Sequence, residues 1–235
     1  MKLTSLCRIG TITTAILLPL TLAAQTKLPK EPSNQTEAAK PAPVAAGPNH
    51  HLLQARALFD QGKMNESSTA IFKAVDSIHK QMITANSLPT EGVINASNRL
   101  ESLADKVSKG QVKDGKILDR QFAKVSEEMA AYYAELARVA AGEQKPRLTR
   151  SALGRVGGYL ENVAAWSGQK LTPADKGLIE AMQKAGATAG QAGKTVSKDT
   201  NALVQKAPAV LEGLEKGLAP EVAKLKKPSF PGRKK

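Results

Sequence analysis

The stretch LDRQFAKVSEEMAAYYAELARV, residues 118–139, decides the fold class. Its apolar side chains recur at alternating spacings of four and three residues. Because residues three or four positions apart lie on the same side of an α-helix, this spacing predicts one long amphipathic helix. Gly142 and Pro146 follow and predict its end. The apolar positions are Leu118, Phe122, Val125, Met129, Tyr132, Leu136 and Val139.

The same spacing recurs in the segments on both sides of this helix. No segment shows the sustained apolar–polar alternation of a half-buried strand. The chain is therefore predicted to be all-α, with an up-and-down helical bundle of about five to six helices over residues 49–189. The other predicted helices start near Asn49, Asn65 and Val93, shortly before Leu153, and at Thr172-Pro173.

The first 24 residues predict export. Lys2 and Arg8 give a basic start, an apolar run of about 14 residues follows, and small residues at Ala23 and Ala24 precede polar Gln25. The apolar run is shorter than the roughly 20 residues that a membrane-spanning helix needs. We therefore expect a cleavable signal peptide, cut after Ala23 or Ala24, and a mature chain that is periplasmic or secreted and has no integral membrane span.

Three further segments differ in composition from the predicted bundle. Residues 25–48 hold five prolines and no apolar period, which predicts a disordered linker. Residues 190–223 are rich in Gly and Ala, and Pro208 interrupts them, so one or two short amphipathic helices are expected there. Residues 224–235 are predicted to be a basic disordered tail, with cations at Lys224, Lys226, Lys227, Arg233, Lys234 and Lys235.

The chain is strongly basic, with a formal net charge of +13. Such a surplus favours an anionic partner, and the basic tail is one candidate contact with it. Within the predicted bundle, the densest cationic cluster is Lys145, Arg147, Arg150 and Arg155, at the start of a predicted helix where backbone N–H groups attract anions. The alternative for this cluster is an ordinary solvated face.

Two glycine-containing motifs favour packing or assembly. Gly154 and Gly158, four residues apart, are expected to let two helix backbones approach closely. Residues 55–82 resemble one helical hairpin of the tetratricopeptide repeat type, with Gly62 at its turn. Ser67 stands where that family usually has alanine, and no second copy follows 34 residues on. The resemblance implies a peptide-binding or assembly role.

Several chemistries lack their usual residues. The single cysteine, Cys7, lies in the predicted signal peptide, so the mature chain offers no disulfide, thiolate zinc site or cysteine nucleophile. Residues 188–195 resemble a phosphate-binding loop but lack its first glycine and a preceding strand. Asp76 and His79 have helical metal-ligand spacing, but two ligands are too few. We therefore expect no cofactor, no metal and no enzymatic activity.

The predicted function is a binding or scaffolding role in the cell envelope. The expected partner is a protein or an anionic envelope component: a lipid headgroup, lipopolysaccharide or a cell-wall polymer. The alternative is a periplasmic ligand carrier or enzyme whose pocket lies between helices. A nucleic-acid partner is disfavoured by the predicted export.

Overall fold

Every extended regular element in the described part of the chain is helical. The computed structural model describes residues 47–85 and 90–222, and no strand occurs among them. The all-α prediction is confirmed for these residues. The elements are α1 (Pro48–Asp60), α2 (Met64–Ala85), α3 (Glu91–Ser108), α4 (Gly115–Gly142), α5 (Pro146–Ser167), α6 (Pro173–Ala187), a 3₁₀ turn (Ala189–Gln191) and α7 (Lys198–Val222).

Helix starts and stops follow from local side-chain chemistry. Thr90, Asp114 and Thr172 precede α3, α4 and α6, and the side-chain oxygen of each accepts a backbone N–H bond from the first turn. Such caps satisfy donors that the helix itself leaves without partners. Gly168 ends α5 with φ of 71°, a left-handed conformation that glycine adopts without steric cost. Of these signals, the sequence predicted the start of α6 at Thr172-Pro173.

The helix α4 lies at the centre of the core and packs against α3, α5, α7 and α1. Leu118, Phe122 and Met129 are fully buried, as its spacing predicts. The prediction that Val139 lies on the same buried face is wrong, because its side chain is 42% exposed. A seven-residue repeat drifts by about 20° per heptad on a helix of 3.6 residues per turn. Over three heptads the buried face has therefore moved, and small side chains at Ala137, Ala140 and Ala141 occupy it.

The helices α5 and α6 approach each other through glycines. A Cβ built on Gly154 would lie 2.6 Å from the Cα of Gly186, so a side chain at either position would collide with backbone. Gly154 thus packs as predicted, but Gly158 does not, since a Cβ there meets nothing within 4 Å. The second close approach belongs to Gly157, whose added Cβ would lie 2.9 Å from the carbonyl oxygen of Ile179.

The start of α1 is fastened to the C-terminal half of α5 by buried polar groups. The Asn49 amide Nδ2 donates to Asn162 Oδ1 at 3.1 Å, and the Trp166 indole Nε1 donates to Asn49 Oδ1 at 2.9 Å. Trp166 also packs edge-on against Phe122 of α4, with ring centroids 5.2 Å apart. Because buried polar groups must be hydrogen-bonded to avoid a desolvation penalty, these bonds fix where α1 sits.

The segment after α6 forms one long helix rather than the one or two short helices predicted. The helix α7 runs through Pro208 and packs on α4 and α5, burying Val204, Ala207, Val210 and Leu214. Proline inside a helix forfeits one backbone hydrogen bond. Burial of the apolar face of α7 offsets that loss, an effect that local propensity does not include.

Some predicted segments lie outside the described residues: the signal peptide at 1–24, the linker as far as residue 46, and the basic tail at 224–235. Pro48, which the sequence analysis assigned to the linker, is the first residue of α1 and is buried. In the described ranges, none of the helices combines the length and the hydropathy needed to cross a membrane.

Candidate functional site

A polar pocket of about 360 Å³ opens between α2, α5 and α6. Gly154 and Gly158 of α5 and Gly186 of α6 line it together with Gly47, which precedes α1. Of these four, Gly158 leaves open space, since an added Cβ there meets nothing within 4 Å, whereas Gly154 and Gly186 are in close contact with each other. The volume lies near the lower end of the range for small-molecule sites.

Tyr159, which lines the pocket, and Tyr133 together hold a glutamine in one orientation. The hydroxyls of Tyr133 and Tyr159 both donate to Gln81 Oε1, at 3.0 and 2.9 Å. Their rings are stacked, with centroids 5.8 Å apart and 11° between the planes. Two donors on one amide oxygen direct the amide nitrogen away from the tyrosines, and Nε2 lies against Gly47.

Both tyrosine hydroxyls remain donors at neutral pH. Burial raises the pKa of Tyr133 to about 12, while the nearby Arg155 guanidinium works in the opposite direction. Burial raises the pKa of Tyr159 further. The two phenols are therefore neutral, and the hydrogen bonds that orient Gln81 persist throughout the physiological range.

Among the described residues that line the pocket, Arg155 carries the only charge. Its side chain is exposed, and its Cζ lies 5.2 Å from the ring centroid of Tyr133. Within residues 47–85 and 90–222 it makes no salt bridge. A guanidinium held over an aromatic ring keeps N–H groups at its edge for a carboxylate or phosphate.

The remaining polar lining consists of amides and a hydroxyl. Gln183 of α6 donates through Nε2 to Glu161 Oε2 at 2.8 Å, which leaves its amide oxygen as an acceptor beside the pocket. Asn162, buried, and Ser151, exposed, complete this set. The lining holds donors, acceptors and one cation, but no carboxylate, imidazole or thiol. The arrangement can bind a small polar ligand.

A second concave surface, the cationic groove, lies where the N-terminus of α5 meets the loop after the 3₁₀ turn. We define it by Lys145, Arg147 and Lys194, with Pro146 and Gly193 between them. The first turn of α5 contains no acidic residue. The positive end of the helix dipole and the cationic side chains therefore have the same sign and add. The ion pair of Lys145 Nζ with Glu143 Oε2, 2.7 Å long, brings one negative charge beside the groove, whereas Arg147 and Lys194 make no salt bridge among the described residues.

The structure separates the four cations that the sequence grouped. Lys145 and Arg147 line the cationic groove, whereas Arg155 lines the polar pocket, eight residues and about 12 Å further along α5. Arg150 is half-buried and lines neither surface. The tail cations from Lys224 to Lys235 lie outside the described residues.

The structure also shows where the other motifs from the sequence analysis lie. Residues 181–187 are helical and residues 189–191 form a 3₁₀ turn, so the phosphate-loop-like segment follows a helix, not a strand. Lys194 of that segment lines the cationic groove, a position that the sequence pattern around it did not predict. Asp76 and His79 are exposed on α2, and no group of three or more metal-ligating residues exists in the part of the chain that the structure describes. Ser67, the departure from the tetratricopeptide pattern, is buried and donates to the Ala55 carbonyl at 2.7 Å.

The pocket residues Gln81, Ser151 and Gln183 were not identified from the sequence, because they lie on three helices at unrelated positions. The Gly154–Gly158 spacing was the one available signal, and it was interpreted as packing alone. No family model, no curated protein and no solved structure matches this chain.

Proposed function

We propose that this chain is an exported, non-enzymatic protein with an up-and-down helical bundle that binds or scaffolds components of the cell envelope. In this proposal it contacts anionic surfaces through the cationic groove and the basic tail. The observation that carries it is the groove itself: Lys145, Arg147 and Lys194 surround a helix N-terminus that has no acidic residue in its first turn.

Charge distribution supports an anionic surface as the partner. The last 46 residues carry 10 basic and 4 acidic residues, so the positive surplus is concentrated towards the end that follows α7. Cations near an anionic membrane surface contribute roughly 1 kcal/mol each, and several acting together give stable adsorption. The predicted signal peptide supports an envelope location, where lipid headgroups and lipopolysaccharide supply such surfaces.

Vesicle sedimentation tests the proposal. The purified protein is spun with vesicles containing about one third anionic lipid, and with neutral vesicles, at low and high salt. We expect sedimentation with the anionic vesicles alone and its loss at high salt, because screening weakens surface electrostatics. Removal of residues 224–235 and the triple substitution K145S/R147S/K194S should each weaken it.

A charge-matched control distinguishes the groove from net charge. K63S/K109S/K113S removes three exposed cations from turns elsewhere and lowers the net charge by the same amount. Groove and control variants that bind equally would remove the groove from the proposal. Failure of the unmodified protein to sediment with anionic vesicles would reject surface binding altogether.

The polar pocket favours a second candidate function, a periplasmic ligand carrier. Its supporting observation is the convergence of Arg155 and three amide side chains on one cavity. Carrier and surface-binding functions use different residues, so they are compatible and can be tested separately.

A further inference from the structure

We propose that the pocket between α2, α5 and α6 binds a small organic monocarboxylate, with Arg155 as the counter-ion and the amides of Gln81 and Gln183 contacting the rest of the ligand. This inference deepens the carrier candidate and does not depend on the proposed surface binding.

The positive charge of Arg155 favours a ligand with one carboxylate. Arg155 is the single charged residue in the lining, and it has no salt-bridge partner among the described side chains. A monoanion would neutralise it, whereas a dianion would bring a second charge into a lining that has no second cation. The planar guanidinium matches the two oxygens of a carboxylate, and its five N–H donors include more than its hydrogen bond with Tyr133 uses.

The uncharged side chains of the lining determine which other groups the ligand can carry. Amide side chains both donate and accept, so they can bind hydroxyl or amide groups on the ligand. Gln81 is pre-oriented, because Tyr133 and Tyr159 occupy its Oε1 and direct its Nε2 towards Gly47. Such preorganisation reduces the entropy cost of binding. A cavity of about 360 Å³ limits the ligand to the size of a single acidic sugar or an acylated amino acid.

Glycines keep the site open. A Cβ on Gly158 meets no atom within 4 Å, although the residue lies in the middle of α5, where alanine would favour the helix more than glycine does. Local stability alone gives no reason for glycine at this position, whereas access to the pocket does. The same observation supplies a blocking variant that the fold tolerates.

Calorimetric titration with matched charged and neutral probes tests the inference. The probes are glucuronate against glucose, and N-acetylglycine against N-acetylglycinamide. We expect the full chain to bind at least one carboxylate and to bind its neutral partner at least tenfold more weakly. R155Q should weaken carboxylate binding by about 10- to 100-fold, the loss of one charged hydrogen-bonding group. G158L should abolish binding by filling the pocket while its circular dichroism stays unchanged.

A crossed control separates this inference from the proposed surface binding. R147Q, on the same helix but in the cationic groove, should keep carboxylate binding and weaken vesicle binding, and R155Q should do the reverse. No binding of either carboxylate, equal binding of charged and neutral probes, or unchanged affinity in R155Q or G158L would each overturn the inference.

Discussion

The contact between α5 and α6 predicts that one substitution has opposite effects at two positions four residues apart. In Gly154→Ala the new Cβ would lie 2.6 Å from the Cα and 3.4 Å from the backbone nitrogen of Gly186. Both atoms belong to backbone, so the neighbour cannot relieve the clash by changing a rotamer. In Gly158→Ala the Cβ enters open space.

The magnitudes follow from two terms. Alanine stabilises a helix interior by about 1 kcal/mol relative to glycine at either position. Overpacking costs about 1–3 kcal/mol, and a backbone neighbour places Gly154→Ala in the upper part of that range. The free energy of unfolding should therefore fall by about 1–2 kcal/mol in Gly154→Ala and rise by about 0.5–1 kcal/mol in Gly158→Ala. For a domain of this size the gap between the two variants corresponds to roughly 3–12 °C in Tm.

Urea unfolding followed by far-ultraviolet circular dichroism measures both variants against the parent chain. Gly177→Ala in α6, where an added Cβ also meets nothing within 4 Å, serves as a second open-space control. The reasoning is refuted if Gly154→Ala is as stable as Gly158→Ala, since the α5–α6 approach would then be looser than described.

Three further perturbations have signs that the structure determines. Asn49→Ala should lower the free energy of unfolding by about 1–3 kcal/mol in urea titrations, because it leaves the buried indole N–H of Trp166 without its acceptor. Glu127→Gln should raise the urea midpoint at pH 7 and leave it unchanged near pH 3. Burial raises the pKa of Glu127, so the folding stability that its neutral form contributes is present in acid and is lost as the pH rises through that pKa. Burial raises the pKa of Tyr133 to about 12, so the folding stability that its neutral phenol contributes is intact below pH 10 and is lost between pH 10 and 12. Helicity measured by circular dichroism across that interval should therefore fall.

Each of these three predictions can be contradicted by a specific measurement. Asn95→Ala, at an exposed position on α3, should change stability by less than about 0.5 kcal/mol, and an equal loss in both asparagine variants would contradict the buried network. A Glu127→Gln gain that persists undiminished in acid would mean that ionisation is not its origin. Helicity that is constant to pH 12 would show that Tyr133 does not couple to folding.

The helical fold was predictable because its signals are local. The spacing from Leu118 onwards and the helix start at Thr172-Pro173 each act within one or two turns, so single-sequence reasoning reaches them. The exposure of Val139 was missed because a small angular drift accumulates over several turns.

The site was less predictable because its residues meet only in the folded chain. Pro208 indicated an interruption, yet α7 continues through it, since burial against α4 and α5 outweighs one lost hydrogen bond. The cluster around Lys145 was found, but sequence proximity could not show that Arg155 belongs to a different surface. Nothing near Gln81 in the sequence indicates that two tyrosines from other helices would orient it.

The bond between Trp166 and Asn49 gives the molecule an intrinsic optical reporter. Trp166 is the chain's one tryptophan, and its indole N–H is held by the first turn of α1. The emission wavelength of Trp166 therefore depends on whether α1 is packed against α5. A ligand or surface that displaces α1 would shift the fluorescence to the red without any attached dye, and a partner that leaves α1 in place would not.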